Sequence, residues 1–333
     1  MPIIVNNPIA IATCSLGLHP SHTLRLKIQS AANAGFGGIE LFYSDLQEHA
    51  RAHGKSLVHA ASEVQELCNS VGLDIVTFGP FMNFEGCPSP PENRLKEAQE
   101  WIDIARALGT GIIRVPSAID DRAVEDEEVI VAELRMLCAL GAEGGATISF
   151  AYESLSYGVH AALWEDSLRL ANLVDRSNFG LCLDTYHVCA RVWGTPQTRS
   201  GRLPGGNAAL RASMERFAKE CPMDKVFIVQ LGDAEKMDPP ILPGHPAYQE
   251  GRDVAATWGA YGRLFPLEHD RGAYLPMMDI LKVWLIQKGW HGWVSLEVFH
   301  REMKEESMGP DILARRGIES WKKLRKLLAS SAS

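Results

Sequence analysis

The strongest constraint on the fold is a repeated mark of punctuation. An amphipathic stretch ends in Gly, and a short β-rich apolar run starts within a few residues. Gly35 precedes Gly38-Ile39-Glu40-Leu41-Phe42, and Gly72 precedes Leu73-Asp74-Ile75-Val76-Thr77-Phe78. Gly109 precedes Gly111-Ile112-Ile113-Arg114-Val115, and Gly145 precedes Ala146-Thr147-Ile148-Ser149-Phe150-Ala151. These glycines lie 37, 37 and 36 residues apart. Asn178 is predicted to take the part next, and Gly289 near the end. Gly closes a helix because it adopts the left-handed conformation without a Cβ clash. The apolar run that follows reads as a buried parallel strand. Each period is therefore one αβ unit.

The pattern predicts helices over Ser21 to Ala34, Ser56 to Val71, Glu92 to Leu108, Glu125 to Glu143 and Leu163 to Asp175. Ile9 to Cys14, Phe179 to Asp184, Val226 to Gln230 and Trp293 to Phe299 bring the strands to eight. Eight units in 333 residues predict an α/β fold, a (β/α)8 TIM barrel, as a single domain over residues 1–333. A doubly wound sheet would carry a Gly-rich phosphate loop after its first strand. Here that strand runs into Cys14-Ser15-Leu16-Gly17-Leu18. The connections after strands six and seven, 188–206 and 231–274, are long. Loops of such length are usually functional, and both fall on the C-terminal face, where barrel active sites form.

Composition narrows the function. Apolar residues make up 46% of the chain and the formal net charge is −8. A basic surface for nucleic acid is missing. Seven scattered cysteines without a CxxC pair suit reduced, buried thiols in a cytoplasmic protein. No segment approaches the roughly 20 apolar residues of a membrane span, and the N-terminus does not read as a secretory signal. A homo-oligomer is compatible with all of this.

Strands five to eight each end in one oxygen-bearing side chain: Glu153, Asp184, Gln230 and Glu297. Taken singly, each is an ordinary polar residue at a strand end. In a barrel they share one rim. Two carboxylates about 4 Å apart repel by roughly 4 kcal/mol at an effective dielectric of 20, and a divalent cation is the simplest offset. An all-oxygen set suits Mg2+, Mn2+ or Co2+. His187 follows Asp184 by three residues and is a candidate base. Glu40 ends strand two and is a candidate for orienting groups in the site. Arg114, Arg191, Arg202 and Arg263 are candidates for bidentate binding of an anionic substrate, although from spacing alone each reads more readily as a structural or surface arginine.

The runs Gly38 to Tyr43, Asn178 to Thr185, Arg263-Leu264-Phe265-Pro266, Asp270 to Pro276 and Gly292 to Glu297 resemble the catabolic 3-dehydroshikimate dehydratases of the xylose-isomerase-like barrel superfamily. The likeness is to the single-domain type of fungal quinate catabolism. It implies a divalent metal on Glu153, Asp184, Gln230 and Glu297, a base at His187, and Arg263 on the carboxylate of a small anionic cyclic substrate. It implies a hydro-lyase reaction that forms protocatechuate through a metal-stabilised enediolate. The chain departs from the family pattern at Arg114, where Gln is usual, at Tyr157-Gly158, where Trp-Gly is usual, and at Leu231-Gly232. Arg114 and Tyr157 are thus expected to contact substrate. The other enzyme reading is an epimerase, isomerase or dehydratase of ketoses or cyclic polyols from the same superfamily.

Overall fold

A computed structural model describes residues 5–330. The first four residues and the Ser-Ala tail beyond Ser330 lie outside the described residues.

Eight parallel strands close into a barrel. They are β1 (Ile9–Ala12), β2 (Gly38–Phe42), β3 (Asp74–Gly79), β4 (Ile112–Pro116), β5 (Ser149–Glu153), β6 (Phe179–Asp184), β7 (Val226–Leu231) and β10 (Val294–Leu296). Neighbours follow chain order, and β1 pairs with β10 to shut the ring. Around it lie α1 (Leu24–Ala34), α2 (Tyr43–His53), α3 (Leu57–Ser70), α4 (Pro91–Leu108), α5 (Glu127–Ala142), α6 (Trp164–Val174), α7 (Thr185–Val192) and α8 (Gly206–Glu220). The last part adds α9 (Val254–Gly262), α10 (Met277–Leu281) and α11 (Pro310–Ser330).

The predicted punctuation works at Gly35 and Gly109, which end α1 and α4 in the left-handed conformation (φ 95° and 70°). It fails at Asn178. Asp175 takes the left-handed position after α6, while the Asn178 amide donates to the carbonyls of Cys138 and Ile148 and ties α5 to β5. Helix α2 was not predicted, because it starts straight after Phe42 with no capping side chain to announce it.

The long connections are also more ordered than their sequences suggest. α7 fills the start of 188–206. Between β7 and α10 the chain makes a two-stranded antiparallel hairpin, β8 (Asp233–Ala234) with β9 (Arg263–Leu264), and α9 leads into its second strand. Asp233 builds this excursion. It is fully buried and accepts backbone N–H groups from Ala234, Leu267, Tyr274 and Leu275 at 2.8–3.2 Å.

Alternation along a strand puts every second residue inside the barrel. Ala10, Val76, Ala151, Cys182 and Ile228 form an apolar floor there. The residues two further on in β5, β6 and β7 are Glu153, Asp184 and Gln230. The strands thus carry a polar layer on an apolar one, and the polar layer faces the C-terminal mouth. All seven cysteines are free, as composition suggested. Among the described residues no helix is long and apolar enough to cross a membrane.

Candidate active site at the barrel mouth

Glu40, Arg114, Glu153, Asp184, His187, Gln230, Arg263 and Glu297 meet in one buried cluster, each no more than 4% exposed. The local chain explains the sharpest contact. α7 begins directly after β6, and Asp184 caps it, its Oδ1 accepting from the N–H groups of Tyr186 (2.6 Å) and His187 (3.4 Å). That cap turns the first helical residues over the mouth and brings His187 within 3.6 Å of Glu153 Oε1.

Glu153, Asp184 and His187 offer ligand atoms that all lie within 4.8 Å of one another. Glu153 Oε1 is buried without a hydrogen-bond partner, so it has lone pairs to give. Two carboxylates and an imidazole are an ordinary donor set for a divalent cation. These residues fit a metal.

The expected fourfold ligand set is engaged differently. The Gln230 amide NH2 donates to Glu40 (3.0 and 3.2 Å) and Glu297 (3.3 Å), and its Oε1 accepts from the Cys182 thiol at 3.1 Å. Glu297 Oε1 meets Arg114 at 2.9 Å, and Oε2 meets Arg263 at 3.1 Å. The carboxylates are therefore not offset by a cation alone. Arg114 also holds Glu153 Oε2 at 2.6 Å, and Arg263 holds Asp184 Oδ2 at 2.5 Å. The repulsion expected between the strand ends is met first by these two guanidiniums, which β4 and the hairpin supply.

Both arginines lie in the site, but their Nη groups face protein carboxylates rather than open space. Aromatic rings hold them there. Arg263 sits 4.7 Å from the Tyr186 ring and 5.6 Å from Phe299, and Arg114 sits 5.1 Å from Phe42. Phe42 and Phe299 lie two residues after Glu40 and Glu297, so strand alternation was a signal for them. Glu40 accepts from Thr77 at 2.8 Å. Tyr157 is half-buried, its ring edge-on to His187 at 5.6 Å. Ser156 donates its N–H to His187 Nδ1 at 3.1 Å, with its Oγ 3.3 Å away, and no sequence signal marked it. Arg191 and Arg202 are not among the cluster's partners. Arg202 lies over Trp193 instead.

Burial sets the protonation states. It pushes the Glu153 carboxyl up to about 8 against the pull of Arg114, and it raises Glu40 as well. Burial, then the charge of Arg263, hold His187 well below its usual value. The Tyr157 hydroxyl is raised to about 12, chiefly by burial. The mouth thus presents a neutral imidazole beside a carboxyl that readily keeps a proton. A cavity of about 650 Å3 lies elsewhere, between α8 and residues 277–287 on the barrel's flank. It holds none of these groups.

A closed eight-strand barrel with acidic and histidine side chains gathered at its mouth defines a class, and the chain belongs to the xylose isomerase-like TIM barrel family, whose model matches residues 28–324. Within that class it is 36% identical to a 3-dehydroshikimate dehydratase of Neurospora crassa, over 95% of this chain and 93% of that one. A 3-dehydroshikimate dehydratase of Pseudomonas putida is 30% identical over 87% of this chain, which spans 38% of that longer protein. A solved xylose isomerase-like TIM barrel/4-hydroxyphenylpyruvate dioxygenase fusion protein superposes with a TM-score of 0.75 at 26% identity. The match covers 97% of this chain and 43% of the fusion.

Proposed function

We propose that this chain is a 3-dehydroshikimate dehydratase, a hydro-lyase that forms protocatechuate. The observation that carries the reading is the 36% identity to the Neurospora crassa enzyme over nearly the full length of both chains. The mouth chemistry agrees with it. Glu153 and Asp184 would hold a divalent cation, Mg2+, Mn2+ or Co2+, with Gln230 and Glu297 beside them as further oxygen donors, which leaves the adjacent His187 free to act as a base. Such a cation supplies a Lewis acid for the substrate's ketone oxygen.

The remaining work falls to side chains. His187 is neutral and takes the proton next to the ketone through Nε2 in the tautomer whose Nδ1 hydrogen goes to Ser156 Oγ, the Ser156 N–H contact to Nδ1 belonging to the other tautomer. His187, once protonated, can pass that proton to the departing hydroxyl, so that the group lost is water. Arg114 and Arg263 fix the carboxylates, and Tyr157 closes the side of the pocket with a neutral hydroxyl able to donate to substrate. The buried cluster keeps water from the reacting carbons.

The test is direct. Purified protein with Mn2+ and 3-dehydroshikimate should develop the ultraviolet absorbance of protocatechuate, and His187→Asn should abolish it. No product, together with turnover of ketoses under the same conditions, would assign the chain to sugar epimerisation or isomerisation instead.

A further inference from the structure

Arg263 reaches its place only because residue 232 lacks a side chain. A Cβ on Gly232 would stand 2.7 Å from Arg263 Nη2 and 2.9 Å from its Nε. It would also lie 2.8 Å from the Glu297 carbonyl oxygen. The Gly232 backbone has no ordinary way to retreat. Its N–H donates to Thr185 Oγ1 at 3.0 Å, and its carbonyl lies 3.2 Å from the same hydroxyl. The next residue is Asp233, pinned by its four backbone N–H groups. The guanidinium has little room either, with Tyr186 and Phe299 on its faces and Asp184 and Glu297 at its Nη atoms.

We propose that Gly232 is a positioning residue of the active site, its missing side chain being the space in which Arg263 lies across Asp184 and Glu297. A side chain there drives the guanidinium off both carboxylates. The two groups that Arg263 orients then lose their shared cation and their fixed rotamers. This rests on the barrel mouth being the reaction site. It concerns which neighbour sets the arginine's pose, and hence how deep a substrate can enter beside it.

The test is a double-mutant cycle of Gly232→Ala with Arg263→Ala. It is read both as kcat/KM for 3-dehydroshikimate with Mn2+ and as the urea unfolding midpoint. Loss of a partner that orients metal-site residues typically costs about 10- to 100-fold in activity. Gly232→Ala should lose activity on that scale in the wild type, mostly in kcat, and should lower the midpoint. In the Arg263→Ala background the same change should cost clearly less by both measures, because the guanidinium it displaces is gone and only the Glu297 carbonyl contact remains. An equal cost in both backgrounds would overturn the proposal and make the Glu297 carbonyl the obstacle. If Arg263→Ala does not fold, Arg263→Lys serves, since it lacks the Nη atom nearest the added Cβ. Failure of the wild type to turn over 3-dehydroshikimate would sink the proposed function, yet the midpoint cycle would still decide this inference.

Discussion

At the scale of single residues the cluster balances charge by hydrogen-bonded pairing. Arg114 joins Glu153 and Glu297, side chains that are almost wholly buried. Removing one partner of a buried pair costs about 3–5 kcal/mol, because the other charge stays buried and uncompensated. Arg114→Met should therefore lower the unfolding free energy by that amount in urea titrations. Adding Glu153→Gln should restore part of it, and no recovery would mean that Arg114 stabilises through packing on Phe42. His187 gives a pH signature. Its folded pKa is depressed, so the folded state binds a proton less readily than the unfolded chain. The stability from this group is complete above about pH 6.5 and is lost as pH falls from there toward the folded value. The raised carboxyls of Glu153 and Asp233 pull the other way over the same window, so the His187 share is read by difference: between pH 7.5 and pH 5 the urea midpoint of His187→Asn should rise more, or fall less, than that of the wild type. The strand-end carboxylates were legible in the sequence because alternation fixes which face each residue takes. The partners of Arg114 and Arg263 were not, since a long side chain's direction depends on neighbours across the barrel.

At the scale of elements, the barrel was readable because its repeat is covalent: a glycine, a strand and a helix recur at nearly constant spacing. The hairpin inside 231–274 was not readable. Its strands are two residues each, too short to show any period, and its stability comes from Asp233. That side chain collects four N–H donors from three separate segments, and burial still pushes its pKa up to about 6. Asp233→Asn keeps an oxygen for Ala234, Tyr274 and Leu275 but turns an NH2 toward the Leu267 N–H. A buried donor left unsatisfied costs about 1–3 kcal/mol. The variant should lose stability on that scale. It should also lose kcat more than it raises KM, since the hairpin delivers Arg263. An unchanged kcat in a folded variant would separate the hairpin from catalysis.

At the scale of the whole molecule, the site and the fold share one free energy. Four carboxylates, Glu40, Glu153, Asp184 and Glu297, face two guanidiniums. With all of them ionised, the cluster keeps a formal charge of −2 inside a closed barrel. Raised proton affinity at Glu40 and Glu153 relieves part of it. A divalent cation, as proposed above, would relieve it more fully and would bind only the folded ring, because β5 and β6 bring Glu153 and Asp184 together. Linkage then gives the size of the effect: a ligand at 100 times its Kd adds about 2.7 kcal/mol to the unfolding free energy. Mn2+ should accordingly raise the urea midpoint, chelation should reverse the rise, and Glu153→Gln should largely remove it. The cation competes with protons on Glu153, so its affinity should climb as pH rises toward about 8. A midpoint indifferent to Mn2+ at pH 8 would mean that the two arginines, and no metal, complete the charge balance of this barrel.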